Sequence, residues 1–567
     1  MSLHWTGQPF VDAGLAALLA ASGASRLSDV TATHLDSAVR ELERILLSDQ
    51  ALGIGLEKSF AKSTLSQVFP NSELVNPSNW SKGPEGVRAK YRTALKEDLA
   101  RAKEALHAER GDRLCGICGE LRPSAGFVML RRDRFPLLSG AVNFYPGFVY
   151  GVALCGLCAL ALRFSVASLL RVGERGRLWF LHCPSDIVAA RIAQEYGWGH
   201  FRRLIAANQP LDFYGDWRTS GNSGAILCLL CQLLRKFSKE VRTLYAKGVP
   251  TVAYVFSNSQ QGVSSYIDGI PVPTSILDFL QSLYLESIDA FDQFERELLR
   301  VDTGRDKREE AQRARFVATI ADRIVRAEPI VGASLVEQRL LGGWIAHRTY
   351  LREVNGMNEA VLALLERTGI ALAQHERGKK LIGRLERAPA RDVRAVLLDL
   401  VREGVLSGRE LAALLPPNEP TSAQIVRDVL LAVVYEYQRC NEVGESFPRL
   451  AGGWAIPEPD EVVRRLERIA ADLIRTLPNR RQWIADLMTA RKTAQIRATY
   501  LRALRSGAMS LVDFLFLVPL GDVTQAWVLR DYLLAFLFEL GREAVPTDIE
   551  LVEGEEGATD EVSVLAE

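Results

Sequence analysis

Residues 113–119 read RLCGICG, and residues 153–162 read ALCGLCALAL. Each stretch holds a Cys-x-x-Cys pair, Cys115 with Cys118 and Cys155 with Cys158. That spacing lets two thiolates on one tight turn face a single ion, and Gly116, Gly119 and Gly156 permit the close backbone approach. Four sulfurs make the closed tetrahedral set of structural Zn²⁺, with no open position for a catalytic water. The 36 residues between the pairs exceed the roughly 15–20 of simple zinc modules. The excess need only loop away from the metal. The competing uses of such pairs are redox or iron–sulfur chemistry and plain packing. A third pair, Cys228 and Cys231 in AILCLLCQLL, reads as part of a buried helix, where free cysteine packs well. His182-Cys183 ends a strand and is expected to be structural rather than a replacement ligand.

Outward from the cysteines, the chain reads as α+β. Over 111–183, the short apolar runs Phe127–Leu130, Phe144–Tyr150 and Leu178–His182 alternate with Gly and Pro and predict strands. Residues 251–273 predict two strands around a polar turn, after helices over Asp186–Asn208 and Gly224–Lys247. Before the cysteines, Asp12 is expected to cap a short apolar helix over Ala13–Ala21, and Thr33 a second helix. Leu35, Val39, Leu42 and Leu46 share one face of that second helix. Residues 70–86 read as a loop, followed by a charged helix over Val87–Arg110. Beyond about residue 275 nearly everything has a helical period. The expected organisation is a mixed α/β N-terminal domain over 1–330 with a zinc-binding CxxC/CxxC module inserted at about 111–183. A C-terminal helical bundle over 331–543 and an acidic flexible tail over 544–567 follow.

A composition of 48% hydrophobic and 24% charged residues among 567 excludes a disordered or collagen-like chain, and eight cysteines are too few for a disulfide scaffold. The 69 basic and 69 acidic residues cancel, but nine of the acids lie in 543–567, which holds no Lys or Arg. Residues 1–542 thus carry 69 positive against 60 negative charges, a mildly basic body with an acidic tail. The start, MSLHWTGQPF, lacks a basic region followed by an apolar run, and the longest apolar run, Phe148–Leu162, is too short for a bilayer. A cytoplasmic location without a membrane partner is expected. No P-loop, H-E-x-x-H or G-x-S-x-G occurs and the seven histidines are scattered, so no enzymatic role is expected.

Several features suit nucleic acid. Residues 475–505 hold eight Lys and Arg against Asp486 alone, on what reads as one long helix. Eleven residues make about three turns, so Arg480, Arg491 and Arg502 are expected to align, with Arg505 one turn on, as a row for phosphates. The competing reading is a solvated face with ion pairs to neighbouring helices. Arg131, Arg132 and Arg134 lie between the cysteine pairs, and Lys236, Lys239 and Arg242 lie on one predicted helix. Asn222, in TSGNSG before that helix, belongs to a loop able to offer N–H groups to a phosphate, or to an ordinary N-cap. Asn258, Gln260 and Gln261 form an amide-rich tip, suited to base edges or to plain solvation.

Trp5-Thr6-Gly7-Gln8-Pro9-Phe10-Val11-Asp12-Ala13-Gly14, followed over a hundred residues later by CGIC and CGLC, resembles the CXXC–CXXC large subunit of type I-B CRISPR Cascade. The likeness covers about residues 1–160. It implies an α/β N-terminal domain and a helical bundle at the foot of a crRNA-guided complex, among other Cascade subunits. It also implies recognition of the short duplex motif beside the target, the PAM, and help in unwinding double-stranded target DNA while guide pairing reads the rest. A separate helicase–nuclease, or transposition proteins in some relatives, would then be recruited. The alternative reading is a zinc-ribbon scaffold for protein interactions without DNA binding.

Overall fold

The computed structural model describes residues 2–69, 72–108, 111–129, 153–172, 177–215, 221–246, 249–257, 266–299, 307–335, 340–389, 393–417, 423–449, 458–519, 523–542 and 545. The chain divides into two compact units, Met1–Glu328 and Pro329–Glu567.

The first unit is mixed α and β. Its central helix is α1 (Pro9–Ser22), in which every residue from Phe10 to Leu19 is buried. A helix apolar on all sides has no solvent face and must sit inside. Pro9 at the first turn fits the fixed φ of proline, and the Gln8 side chain accepts from the Val11 N–H at 2.7 Å. The helix therefore starts earlier than expected, and Asp12 lies inside its first turn rather than capping it. Asp12 is 1% exposed and accepts from Thr6 N and Thr6 Oγ1 at 2.7 Å and from Gly7 N at 3.0 Å. Its other neighbour is His182 Nε2, at 2.9 Å. The second helix, α2 (Ala32–Leu46), is capped by Thr31, not Thr33, and buries Leu35, Val39, Leu42 and Leu46 as its periodicity requires. The charged helix is α3 (Gly83–His107), four residues longer at its start than its sequence pattern suggests.

Two small hairpins follow. Strands β1 (Arg113–Leu114) and β2 (Leu121–Arg122) pair antiparallel around the first cysteine pair. Strands β3 (Val128–Met129) and β4 (Ala153–Leu154) pair antiparallel and lead into α4 (Gly156–Phe164). The expected strand over Phe144–Tyr150 lies outside the described residues. Helix α4 touches both α1 and α3 at backbone distance. A Cβ on Gly14 would lie 1.9 Å from the Ala161 carbonyl oxygen, and one on Gly156 would lie 2.5 Å from that of Arg101. Only glycine fits at either crossing. At the end of α4, Arg163 donates to Asp98 on α3 at 2.5 Å and to both Glu73 oxygens at 3.0 and 3.1 Å.

A four-stranded antiparallel sheet completes this side: β5 (Leu170–Val172), β6 (Arg177–His182), β7 (Val252–Ser257) and β8 (Tyr266–Pro271), in that order. Phe180 and Phe256 each place a ring 5.1 Å from that of Phe10, so the sheet packs on α1 through aromatic edges. Helix α5 (Gly221–Ala246) precedes β7 and is kinked at Phe237, with φ −136° and ψ 42°.

The second unit is helical throughout its described residues. The expected long helix over 475–505 does not form. The chain makes α6 (Glu461–Thr476), α7 (Arg480–Thr489) and α8 (Thr493–Arg505) instead. Pro478 cannot continue α6, because it lacks an N–H and clashes with the preceding turn. Between α7 and α8, Gln495 Oε1 accepts from Arg491 N at 2.6 Å and Lys492 N at 3.1 Å, which starts a new helix. On α9 (Val523–Leu540), the 3% exposed Arg530 donates to the Ala490 carbonyl at 3.3 Å and fixes the break. No helix among the described residues is long and apolar enough to cross a membrane.

Two outcomes test this packing. Gly14→Ala forces α1 and α4 apart and is expected to cost about 3 kcal/mol, read by urea unfolding. His347 is fully buried beside Ser334 Oγ at 3.3 Å, and burial depresses its pKa to about 3. The unfolded chain thus binds the extra proton below about pH 6.5, and stability falls with pH. Going from pH 7 to pH 5 is expected to remove about 2 kcal/mol through this group, an increment absent in His347→Gln.

Candidate metal centre and cationic groove

The two hairpins bring the four cysteines of the paired motifs together. Cys115 and Cys118 lie on the turn joining β1 to β2, where Gly119 takes the left-handed conformation (φ 69°) and donates to the Cys115 carbonyl at 3.1 Å. Cys155 directly precedes α4 and Cys158 lies in its first turn. The Gly116 N–H donates to the Ala153 carbonyl at 3.2 Å, which ties the first turn to β4. Sγ of Cys115 is 3.9 Å from that of Cys158, Sγ of Cys118 is 3.9 Å from that of Cys155, and all four lie within 4.8 Å. Sulfurs bound at about 2.3 Å around a tetrahedral ion sit roughly 3.8 Å apart, so the set fits an ion of the size of Zn²⁺.

The electrostatics point the same way. S–H donation from Cys118, Cys155 and Cys158 pulls the Cys115 thiol far below its ordinary range. Hydrogen bonding with Cys115, Cys118 and Cys155 pushes Cys158 well above it. Four close sulfurs cannot all ionise by themselves, and a divalent cation lets them do so. The Cys155 N–H also donates to Cys115 Sγ at 3.3 Å, as a bond to a thiolate requires. The remaining cysteines take no part. Cys183 is buried, which pushes its thiol up to about 12, and Cys228 and Cys231 are core residues of α5. His182 faces Asp12 and belongs to no metal cluster among the described residues.

The expected cationic sites fare differently. Arg131, Arg132, Arg134, Asn258, Gln260 and Gln261 lie outside the described residues, as does the side chain of Arg242. Lys236 and Lys239 fall on opposite sides of the kink at Phe237, so the expected single basic face is interrupted. Lys236 pairs with Glu195 at 2.8 Å, and Lys239 is exposed. Asn222 is half-buried in the first turn of α5, and its neighbour Ser223 hydrogen-bonds Asp322.

The three-turn row of Arg480, Arg491 and Arg502 does not exist, because it needs one unbroken helix. Arg480 donates to the Ile474 carbonyl at 3.2 Å, and Arg502 pairs with Asp486 on α7. What forms instead is a groove of about 570 Å³ between α7 and α8, lined by Asp486, Thr489, Gln495, Ala498, Arg502 and Arg505. Among the described residues, Arg481, Arg491, Arg497 and Arg505 are exposed and make no ion pair. Arg481 and Arg497 lie off the three-turn period, and the local charge excess is the sequence signal that contains them.

No protein-family profile, curated protein or solved structure matches the chain.

The four-cysteine cluster is expected to carry one divalent metal ion per chain by elemental analysis of the reduced protein. Cys118→Ser should lose most of the metal and lower the melting temperature of the first unit, because binding energy at such a site is folding energy. Full metal content in that variant would remove Cys118 from the ligand set.

Proposed function

We propose that the chain is the DNA-binding large subunit of a crRNA-guided surveillance complex of the type I-B Cascade kind, without catalytic activity of its own. One observation carries the reading. The two distant parts of the sequence signature are a single packed assembly, with Gly14 of the opening segment against Ala161 at backbone distance, in the helix that begins at the CGLC pair. The glycines and the buried Asp12 of that signature thereby acquire physical reasons. In this reading the metal is Zn²⁺, held by Cys115, Cys118, Cys155 and Cys158 in a module inserted in the α/β half. Zinc would supply structural cross-linking only, since four thiolates leave no position for substrate.

DNA binding in this reading draws on the unpaired cations of the helical half. Guanidiniums without acid partners are free to exchange counterions for phosphates. Such contacts position a duplex or a displaced strand and carry no base identity. Recognition of the PAM would then fall to the α/β half, with the amides of Asn258, Gln260 and Gln261 as the readers. The crRNA, the other Cascade subunits, and a helicase–nuclease or transposition proteins are the partners this function requires, in the cytoplasm.

A protein-binding scaffold without DNA contact has one observation in its favour. Leu114 and Leu121 face each other across the β1–β2 hairpin beside the cysteines and are 61% and 51% exposed. Salt separates the two. A full-length variant with Arg481, Arg491, Arg497 and Arg505 changed to Gln is expected to flatten the slope of log affinity for duplex DNA against log salt. The expected change is about 0.7–0.9 per lost phosphate contact, at an unchanged melting temperature. An unchanged slope would leave the scaffold reading standing.

A further inference from the structure

The exposed cations of α7 and α8 belong to the same unit as the acidic residues 546–567. Helix α9 runs past both ends of α7. Near its middle, Arg530 holds the Ala490 carbonyl, next to Arg491. At its end, Gly541 is pressed against Ile474, so closely that a Cβ there would lie 2.4 Å from Ile474 Cδ1. The Ile474 carbonyl in turn holds Arg480. Val545, 9% exposed and part of the core of this unit, is the last described residue. From Gly541 back to Arg530 along α9 is about 17 Å at about 1.5 Å per residue. The 22 residues of 546–567 have a contour length of up to roughly 70 Å. That exceeds the length of α7 and α8 laid end to end, about 35 Å.

The charges are complementary. Residues 546–567 hold eight carboxylates and no Lys or Arg. Arg481, Arg491, Lys492, Arg497 and Arg505 are exposed and make no ion pair among the described residues, and of these Arg505 lines the groove while the others lie elsewhere on α7, α8 and their junction. Most other exposed arginines of this unit have an acid nearby, as Arg409 has Glu467, Arg475 has Asp472 and Arg377 has Glu403. A tethered polyanion meets such a surface at an effective concentration in the millimolar range, which makes even weak pairing persistent at low salt.

We propose that residues 546–567 dock on the cationic surface of α7 and α8 and compete there with nucleic-acid phosphate. The tail acts as an internal stand-in for a phosphate backbone. It is displaced by a strand that also makes contacts elsewhere, and it resists loose, purely electrostatic attachment. The docking rests on the exposed cations of α7 and α8 and on the acidic residues 546–567 alone, while its consequence for DNA rests on the proposed function.

Carbodiimide coupling of the full chain tests the docking without DNA. The second unit holds three lysines, Lys379, Lys380 and Lys492, and of these Lys492 lies at the junction of α7 and α8. Zero-length cross-links from Lys492 to carboxylates of 546–567 are expected by peptide mass spectrometry, and they should vanish at high salt. Links shared evenly among the three lysines, or none at Lys492, would overturn the docking whatever the DNA result.

A second arm reads the competition. Changing Asp548, Glu550, Glu553, Glu555 and Glu556 to their amides should tighten duplex binding about tenfold at low salt, with the gap closing as salt rises. In an Arg491→Gln, Arg505→Gln background the same tail changes should alter affinity less than about twofold, because the docking partner has gone. Equal tightening in both backgrounds would mean repulsion at a distance and overturn the competition. If the full chain binds no duplex at all, the proposed function fails while the cross-link still reports the docking.

Discussion

The backbone contact between Gly14 and the Ala161 carbonyl sets the spacing of the whole first unit. Helix α1 is buried on every side, so it cannot be moved to solvent to relieve a clash. Helix α4 is held on its other side by the equally close crossing of Gly156 and Arg101. The α/β unit is therefore a stack in which α4 lies between α1 and α3 with no slack at either crossing. The cysteine cluster sits at the N-terminal end of α4, and the Arg163 ion-pair network at its C-terminal end. A change at either end reaches the core through a rigid element, which gives a structural ion in this place leverage over the unit.

Charge in the molecule divides by burial. Several buried charges of the described residues have close partners of opposite sign or good hydrogen-bond donors. Asp98 is wholly buried and meets both Arg163 and Arg101, and Asp12 gathers donors from Thr6 and Gly7. Leaving any of these without a partner costs far more than an exposed pair contributes. At the surface no such requirement acts, and there unmatched charge is cheap. The arginines of α7 and α8 that make no ion pair among the described residues are all exposed, where solvent can screen them.

The breaks flanking α7 show how a regular pattern of basic residues can mislead. Three-turn spacing of arginines is meaningful only along a continuous helix. Pro478 announces one break in the sequence. The other depends on Gln495 reaching back to two backbone N–H groups, and on Arg530, some 40 residues away, holding the Ala490 carbonyl. The groove that replaces the row exists because of these breaks, since two short helices can present side chains to a shared space.

The amino-acid sequence by itself determined whatever depends on neighbours along the chain. The two Cys-x-x-Cys turns, the apolar face of α2, the paired strands over 251–273 and the mixed α+β class were all legible, because turn geometry and hydrophobic period are local properties. Tertiary structure alone decided which distant residues meet. It closed four sulfurs into one cluster across a long gap, and turned Asp12 from an expected helix cap into a buried acceptor facing His182. It also divided a basic segment into two helices around a groove. Each of these rests on contacts between residues tens to hundreds of positions apart, and a single sequence has no local signature for a partner supplied by another element.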